Sequence, residues 1–156
     1  MLVKKTEKKR HFWISSEDCN VGKSMFGRML CDVYRAVKWN YTEKYQPAIS
    51  ESTEIVIFDA FRGQEEISIL ENLSDGDYHV ASKMSDGFVL KNPIVFILAN
   101  GVPREIYSKV DNQRLKPLYV RFEVVALTLI ADNDAENQKK IGRTDGKKAI
   151  GTKLNF

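Results

Sequence analysis

The sequence predicts an α/β fold on a largely parallel central sheet. Three observations carry that expectation. Ile55-Val56-Ile57-Phe58 and Ile94-Val95-Phe96-Ile97-Leu98 are continuous apolar runs without polar alternation, as strands covered on both faces require. Stretches of helical period lie before, between and after them. Each run ends on polar or turn-forming residues, so strands and helices alternate along the chain.

The elements follow in order. His11-Phe12-Trp13-Ile14 is a short aromatic first strand, and Ser15 to Val21 is the loop that leaves it. From Ser24 to about Trp39, Phe26, Met29, Leu30, Val33, Tyr34 and Val37 recur at gaps of three and four, which predicts a helix packing that face on the sheet. Arg28, Asp32, Arg35 and Lys38 are then expected outward. Asn40 to Thr53 is polar, contains Pro47 and reads as loop. Glu54 to Phe58 is a central strand. Gln64 to Asn72 forms a short helix that buries Ile67, Leu70 and Leu73, and Asp75-Gly76-Asp77 turns the chain. His79 to Leu90 reads as a hairpin around Lys83 to Gly87, with Asp86-Gly87 suited to a tight turn. After Asn92-Pro93 comes the strand Ile94 to Leu98. Pro103-Arg104 opens a helix ending near Val110, and Val120 to Leu129 is the last strand.

Composition sets broad limits. The chain has 156 residues, about one domain, and 43% of them are apolar, enough for an ordinary core. Residues 1–10 read as a basic arm or linker, 11–131 as the folded domain, and 132–156 as a flexible polar tail. The net charge of +3 is mildly basic. Cys19 and Cys31 lack the spacing of a metal site or a disulfide framework and are expected to be free thiols. No apolar stretch approaches the roughly 20 residues that cross a membrane, and the first residues lack the apolar run of a signal peptide.

The chemistry begins between the first strand and the first helix. Glu17-Asp18-Cys19-Asn20-Val21-Gly22-Lys23-Ser24 has the length of a Walker A loop, with Glu17 where that pattern places its first glycine. Backbone N–H groups at a helix start can surround phosphate oxygens. Asn20, Val21, Gly22, Lys23, Ser24 and Met25 are therefore the expected nucleotide contacts, with Lys23 on the β- and γ-phosphates and the Ser24 hydroxyl on Mg²⁺. Glu17 and Asp18 add negative charge, so their side chains must point away from the phosphates.

Asp59 ends the second apolar run, where a Walker B carboxylate holds Mg²⁺. Ser24 and Asp59 form the expected metal pair. The next residue, Ala60, cannot activate water as a second acid would, and Glu65 and Glu66 are the nearest acids in sequence. Asn100 follows the third run, where an amide can bond the attacking water or the γ-phosphate; Asn100-Gly101 is equally a turn signal. Arg121 and, less directly, Arg114 are candidates for an arginine finger reaching a neighbouring subunit's nucleotide. Lys23, Asp59, Asn100 and Arg121 are the expected catalytic set. Lys83 at a hairpin tip can meet a nucleic-acid backbone, and Phe88 can stack on bases.

With these residues in place, the chain resembles the superfamily 3 helicase domain of replication-associated (Rep) proteins from circular single-stranded DNA viruses and related plasmids. The resemblance rests on Asn20-Val21-Gly22-Lys23-Ser24, Ile55 to Gly63, Ile97-Leu98-Ala99-Asn100, the hairpin around Lys83 and Leu118-Tyr119-Val120-Arg121-Phe122. It covers about residues 11–130. It implies a compact AAA+-like domain that assembles into hexameric rings. It further implies hydrolysis of ATP with Mg²⁺ and movement along single-stranded DNA in the 3′-to-5′ direction, serving rolling-circle replication in a host nucleus. In that family Lys23 and Ser24 correspond to Walker A, Asp59 to Walker B, Lys83 to the pore-loop DNA contact, Asn100 to sensor 1 and Arg121 to the finger. Glu17 and Ala60 depart from the family pattern. No His-x-His pair of the family's nicking domain occurs, so DNA cleavage is not expected. Three other readings stay open: a nucleotide-binding assembly module with weak or no hydrolysis, a related viral RNA helicase, and a small-molecule kinase.

Overall fold

The computed structural model describes residues 9–83, 85–129 and 150–153. The strands β1 (His11–Ser15), β2 (Ala36–Lys38), β3 (Ile55–Phe61), β6 (Ile94–Ala99), β7 (Phe122–Leu129) and β8 (Ile150–Lys153) form one sheet in the order β2-β3-β6-β1-β7-β8. The first five pair in parallel, and β8 pairs antiparallel with β7 at the edge. The fold is therefore α/β with a mostly parallel central sheet, as the two apolar runs predict.

Alternation along the strands divides the core between two faces. Trp13, Val56, Phe58, Val95 and Ile97 turn to one face, where α2 (Ile67–Asp75) and α4 (Asn112–Arg121) cover them with Leu70, Leu73, Leu115 and Leu118. The opposite residues, Ile55, Ile57 and Leu98, meet α1 (Lys23–Val33) through Leu30 and Cys31. A separate ribbon, β4 (Tyr78–Val80) with β5 (Phe88–Leu90), packs on the first face through Val80 and Leu90. The short helix α3 (Pro103–Ile106) follows β6.

Several boundaries differ from the expected ones. The first helix stops at Val33 because Tyr34 is extended, and the chain returns to the sheet as β2 instead of continuing to Trp39. Val37 and Trp39 alternate with Lys38, which is strand period, and the parallel register with β3 sets Val37 beside Val56. The helix face expected on the sheet is largely outside: Met29, Val33 and Tyr34 are exposed, and Phe26 keeps only an edge contact with Phe96 at 5.7 Å. Gly27 is the buried residue of α1. The β4–β5 connection spans residues 81–87, wider than a tight Asp-Gly turn. Helix α4 was not expected; Pro117 inside it breaks the helical pattern in the sequence, while Asp111 caps it by accepting from the Gln113 N–H at 3.0 Å. Within the stretch expected as a polar tail, Ile150–Lys153 form β8; the remainder of 130–156 and the basic residues before Lys9 lie outside the described residues.

Candidate functional site

Parallel strands end together, and ligands of open α/β sheets bind beyond those carboxyl ends. Here β1, β3 and β6 end beside one another, and a cleft of about 370 Å³ opens there. Residues 19–25 line it together with Arg28, Asp59, Ala60, Phe61, Arg62 and Asn100. The structure thus brings Lys23, Ser24, Asp59 and Asn100 to a single cleft, although 77 positions separate Lys23 from Asn100.

The loop between β1 and α1 is shaped by its backbone. Asn20 and Gly22 both have positive φ, at 64° and 91°, and Gly22 is the residue before the first helical turn. Glycine adopts that conformation without steric cost, and asparagine tolerates it better than most residues. No side chain caps α1, so the first N–H groups of the helix stay open toward the cleft. Glu17 and Asp18 line a neighbouring cleft on the β7 side, with Ser16, Val102 and Thr128, and not the cleft that holds Lys23 and Asp59.

Asp59 is placed by an irregularity in β3. Phe58 pairs with Ile97 and Phe61 with Ala99, so β3 carries one more residue than β6 between those pairs. Ala60 takes the extra position at φ 51°, a left-handed conformation that costs a non-glycine residue about 1 kcal/mol or more. The Tyr41 hydroxyl donates to the Asp59 carbonyl at 2.8 Å, and Gln64 Nε2 donates to the Ala60 carbonyl at 3.1 Å. Burial raises the pKa of the Tyr41 hydroxyl, helped by the charges of Asp59 and Glu65, so it remains a donor.

Both oxygens of the Asp59 carboxylate are engaged. The Ser24 hydroxyl donates to Oδ1 at 3.1 Å, and Lys38 Nζ donates to Oδ2 at 2.6 Å. Burial alone would raise the Asp59 pKa; the bond and charge of Lys38, with the Ser24 and Ala60 bonds, outweigh it and hold the carboxyl below its ordinary value. A hydroxyl and an ionised carboxylate on an open cleft are hard oxygen donors. They fit a Mg²⁺ ion that takes few protein ligands and completes its shell with phosphate and water. No cluster of three or more His, Cys, Asp or Glu side chains occurs among the described residues, so any such ion would depend on those outside donors.

Other expected site residues lie elsewhere. Arg121 stands at the end of α4, before the β7 residue that pairs with His11, at the opposite end of β1 from the cleft. Its guanidinium is held by Asp75 through two bonds of 2.8 Å. Arg114 pairs with Glu71 at 3.2 Å. Lys83 is exposed in the β4–β5 connection, 5.5 Å above the Tyr45 ring. Phe88 is half-buried and packs against the main core. Glu65 does not face the cleft: its carboxylate accepts the Trp39 indole N–H at 2.8 Å.

Sequence reasoning missed three cationic residues at or beside the site. The sequence spacing puts Lys38 on the outer face of a helix that does not extend so far. Arg28 lies four positions after Ser24, one helical turn along the same face, and that spacing was the available signal. Arg62 follows Asp59 too closely to leave the cleft mouth. No family model matches the chain, and no curated protein is similar to it.

Proposed function

We propose that this chain is an ATP-binding and ATP-hydrolysing domain of the superfamily 3 helicase kind, AAA+-like, working as a ring of identical subunits on single-stranded DNA. One observation carries the reading: the Ser24 hydroxyl stands 3.1 Å from the Asp59 carboxylate, in the cleft that Lys23 and Asn100 also line. A chance Gly-Lys-Ser turn has no reason to meet a strand-end aspartate from 35 positions away.

The residues divide the work. Backbone N–H groups from Gly22 to Met25 and the Lys23 ammonium hold the triphosphate. Ser24 and Asp59 hold Mg²⁺, which neutralises charge developing on the transferred phosphoryl group. Asn100 orients the water or the terminal phosphate without adding negative charge. Lys83, on the exposed β4–β5 connection, contacts the DNA backbone, and six copies in a ring make that contact strong and salt-sensitive. Arg28 and Arg62 add positive charge at the cleft mouth.

The test is binding of a fluorescent ATP analogue with Mg²⁺ to wild type and Lys23→Ala. The expected result is saturable binding by wild type and loss of at least about tenfold in affinity for the variant, the scale of a charge-assisted phosphate contact. Equal affinities would overturn the assignment. A second reading, a nucleotide-binding assembly module without turnover, is favoured by one feature: Ala60 replaces the second acid while Glu65 is turned to Trp39. Phosphate release at saturating nucleotide separates the two.

A further inference from the structure

The Asp59 carboxylate has a cationic partner that the nucleotide reading does not use. Lys38 sits on β2, the strand next to β3, and reaches Asp59 Oδ2 at 2.6 Å. It comes from beneath α1 rather than from the cleft: its Cε lies 3.9 Å from where a Cβ at Gly27 would stand, in ordinary contact with the buried face of that helix. The cleft is lined instead by Lys23, Arg28 and Arg62. Lys38 therefore faces the back of the carboxylate, while Ser24 holds its front oxygen. The pair is partly shielded, with side-chain exposures of 37% for Lys38 and 20% for Asp59.

We propose that Lys38 is a built-in counter-cation at the metal site, which competes with the divalent ion for the charge of Asp59. Two cations sharing one carboxylate weaken each other's binding, and the coupling is reciprocal. With Lys38 in place, the charge of Asp59 is partly offset in the nucleotide-free protein, which attracts divalent ions less strongly. The ion then arrives chiefly with the phosphates, whose negative charge tips the balance. This deepens the reading above and rests on it for the identity of the phosphate ligand. The effect on the bare protein does not depend on that identity.

The experiment titrates Mn²⁺, a hard divalent probe that accepts the same oxygen ligands, and follows free Mn²⁺ by electron paramagnetic resonance. Wild type, Lys38→Met and Lys38→Arg are compared, alone and with a non-hydrolysable ATP analogue. Methionine keeps the apolar stem without the charge, and Lys38→Gln serves as the second neutral variant should methionine impair folding. The half-saturating Mn²⁺ concentration is expected to fall about threefold to fivefold in the neutral variant, the factor that corresponds to a partly exposed ion pair. Lys38→Arg keeps the wild-type value. An unchanged or higher concentration in the folded neutral variant, measured without nucleotide, overturns the inference. An ATP analogue that fails to tighten Mn²⁺ binding in wild type counts against the nucleotide reading alone.

Discussion

His11 shows how one side chain can tie the sheet together and make stability depend on pH. It is only 3% exposed. Its Nδ1 accepts the Val95 N–H at 3.1 Å, which leaves Nε2 as the protonated nitrogen, donating to the Ser74 carbonyl at 2.9 Å. A second proton on Nδ1 would face another N–H. Burial lowers the His11 pKa below its ordinary 6.5, against smaller raising effects from Ser74 and Asp75. The unfolded chain therefore takes up a proton before the folded one does. The contribution of neutral His11 is complete above about pH 6.5 and is lost as pH falls toward the lowered value, with a limiting slope of about 1.4 kcal/mol per pH unit. Urea unfolding between pH 8 and pH 5 should show that decline in wild type. In His11→Asn, whose amide oxygen can still accept the Val95 N–H, the slope should vanish; a slope that persists would assign it to other groups. Residues of this kind are invisible in the sequence. His11 reads as part of an aromatic strand, and its partners are 63 and 84 positions away.

At the scale of elements, α1 sets the geometry of the cleft, and Gly27 sets the distance of α1 from the sheet. An added Cβ there would stand 3.1 Å from Leu98 Cδ1 and 3.7 Å from Ile57 Cγ2. Alanine gains about 1 kcal/mol of helix propensity over glycine, which offsets that contact because the end of the Leu98 side chain can move. A β-branched residue cannot be accommodated so easily. Gly27→Val should destabilise the protein by about 1–3 kcal/mol, as overpacking does, while Gly27→Ala stays near neutral. Chemical denaturation of both variants checks the contrast, and equal effects would refute the close approach. The same element shows what was legible. Strands β3 and β6 could be read because continuous β-branched runs admit few alternatives, and Asp59 and Asn100 could be placed because they end those runs. The length of α1 could not, because Val33, Tyr34 and Val37 continue a helical spacing by coincidence while Tyr34 has already turned extended. That error hid Lys38, since a residue assigned to an outer helix face is not sought beside a strand-end aspartate. Helix α4 was hidden by Pro117, and only the Asp111 cap signalled its start.

At the scale of the whole molecule, the two ends of the sheet are chemically different. The cleft opens where β1 ends, whereas Arg121 stands where β1 begins, and the five residues of β1 span about 16 Å. Arg121 therefore cannot serve the cleft of its own chain. Within the proposed ring it could act only on a neighbour's nucleotide, and only after leaving its two bonds to Asp75 and its bond to the Pro117 carbonyl. Such a trans-acting role has a measurable signature in concentration. Wild-type turnover per subunit should rise with protein concentration as rings assemble. Arg121→Ala should bind the fluorescent ATP analogue as wild type does, yet fail to show that rise, with assembled-state turnover reduced by at least about a hundredfold if the guanidinium stabilises phosphoryl transfer. Asp75→Asn supplies the control: it removes the ion pair and loosens the guanidinium without removing it, so turnover in the assembled state should be retained or increased. If Arg121→Ala and Asp75→Asn lower thermal stability together and leave the concentration dependence of turnover intact, Arg121 acts as a structural tie between α4 and the end of α2, and the neighbour's phosphates must be met by another residue.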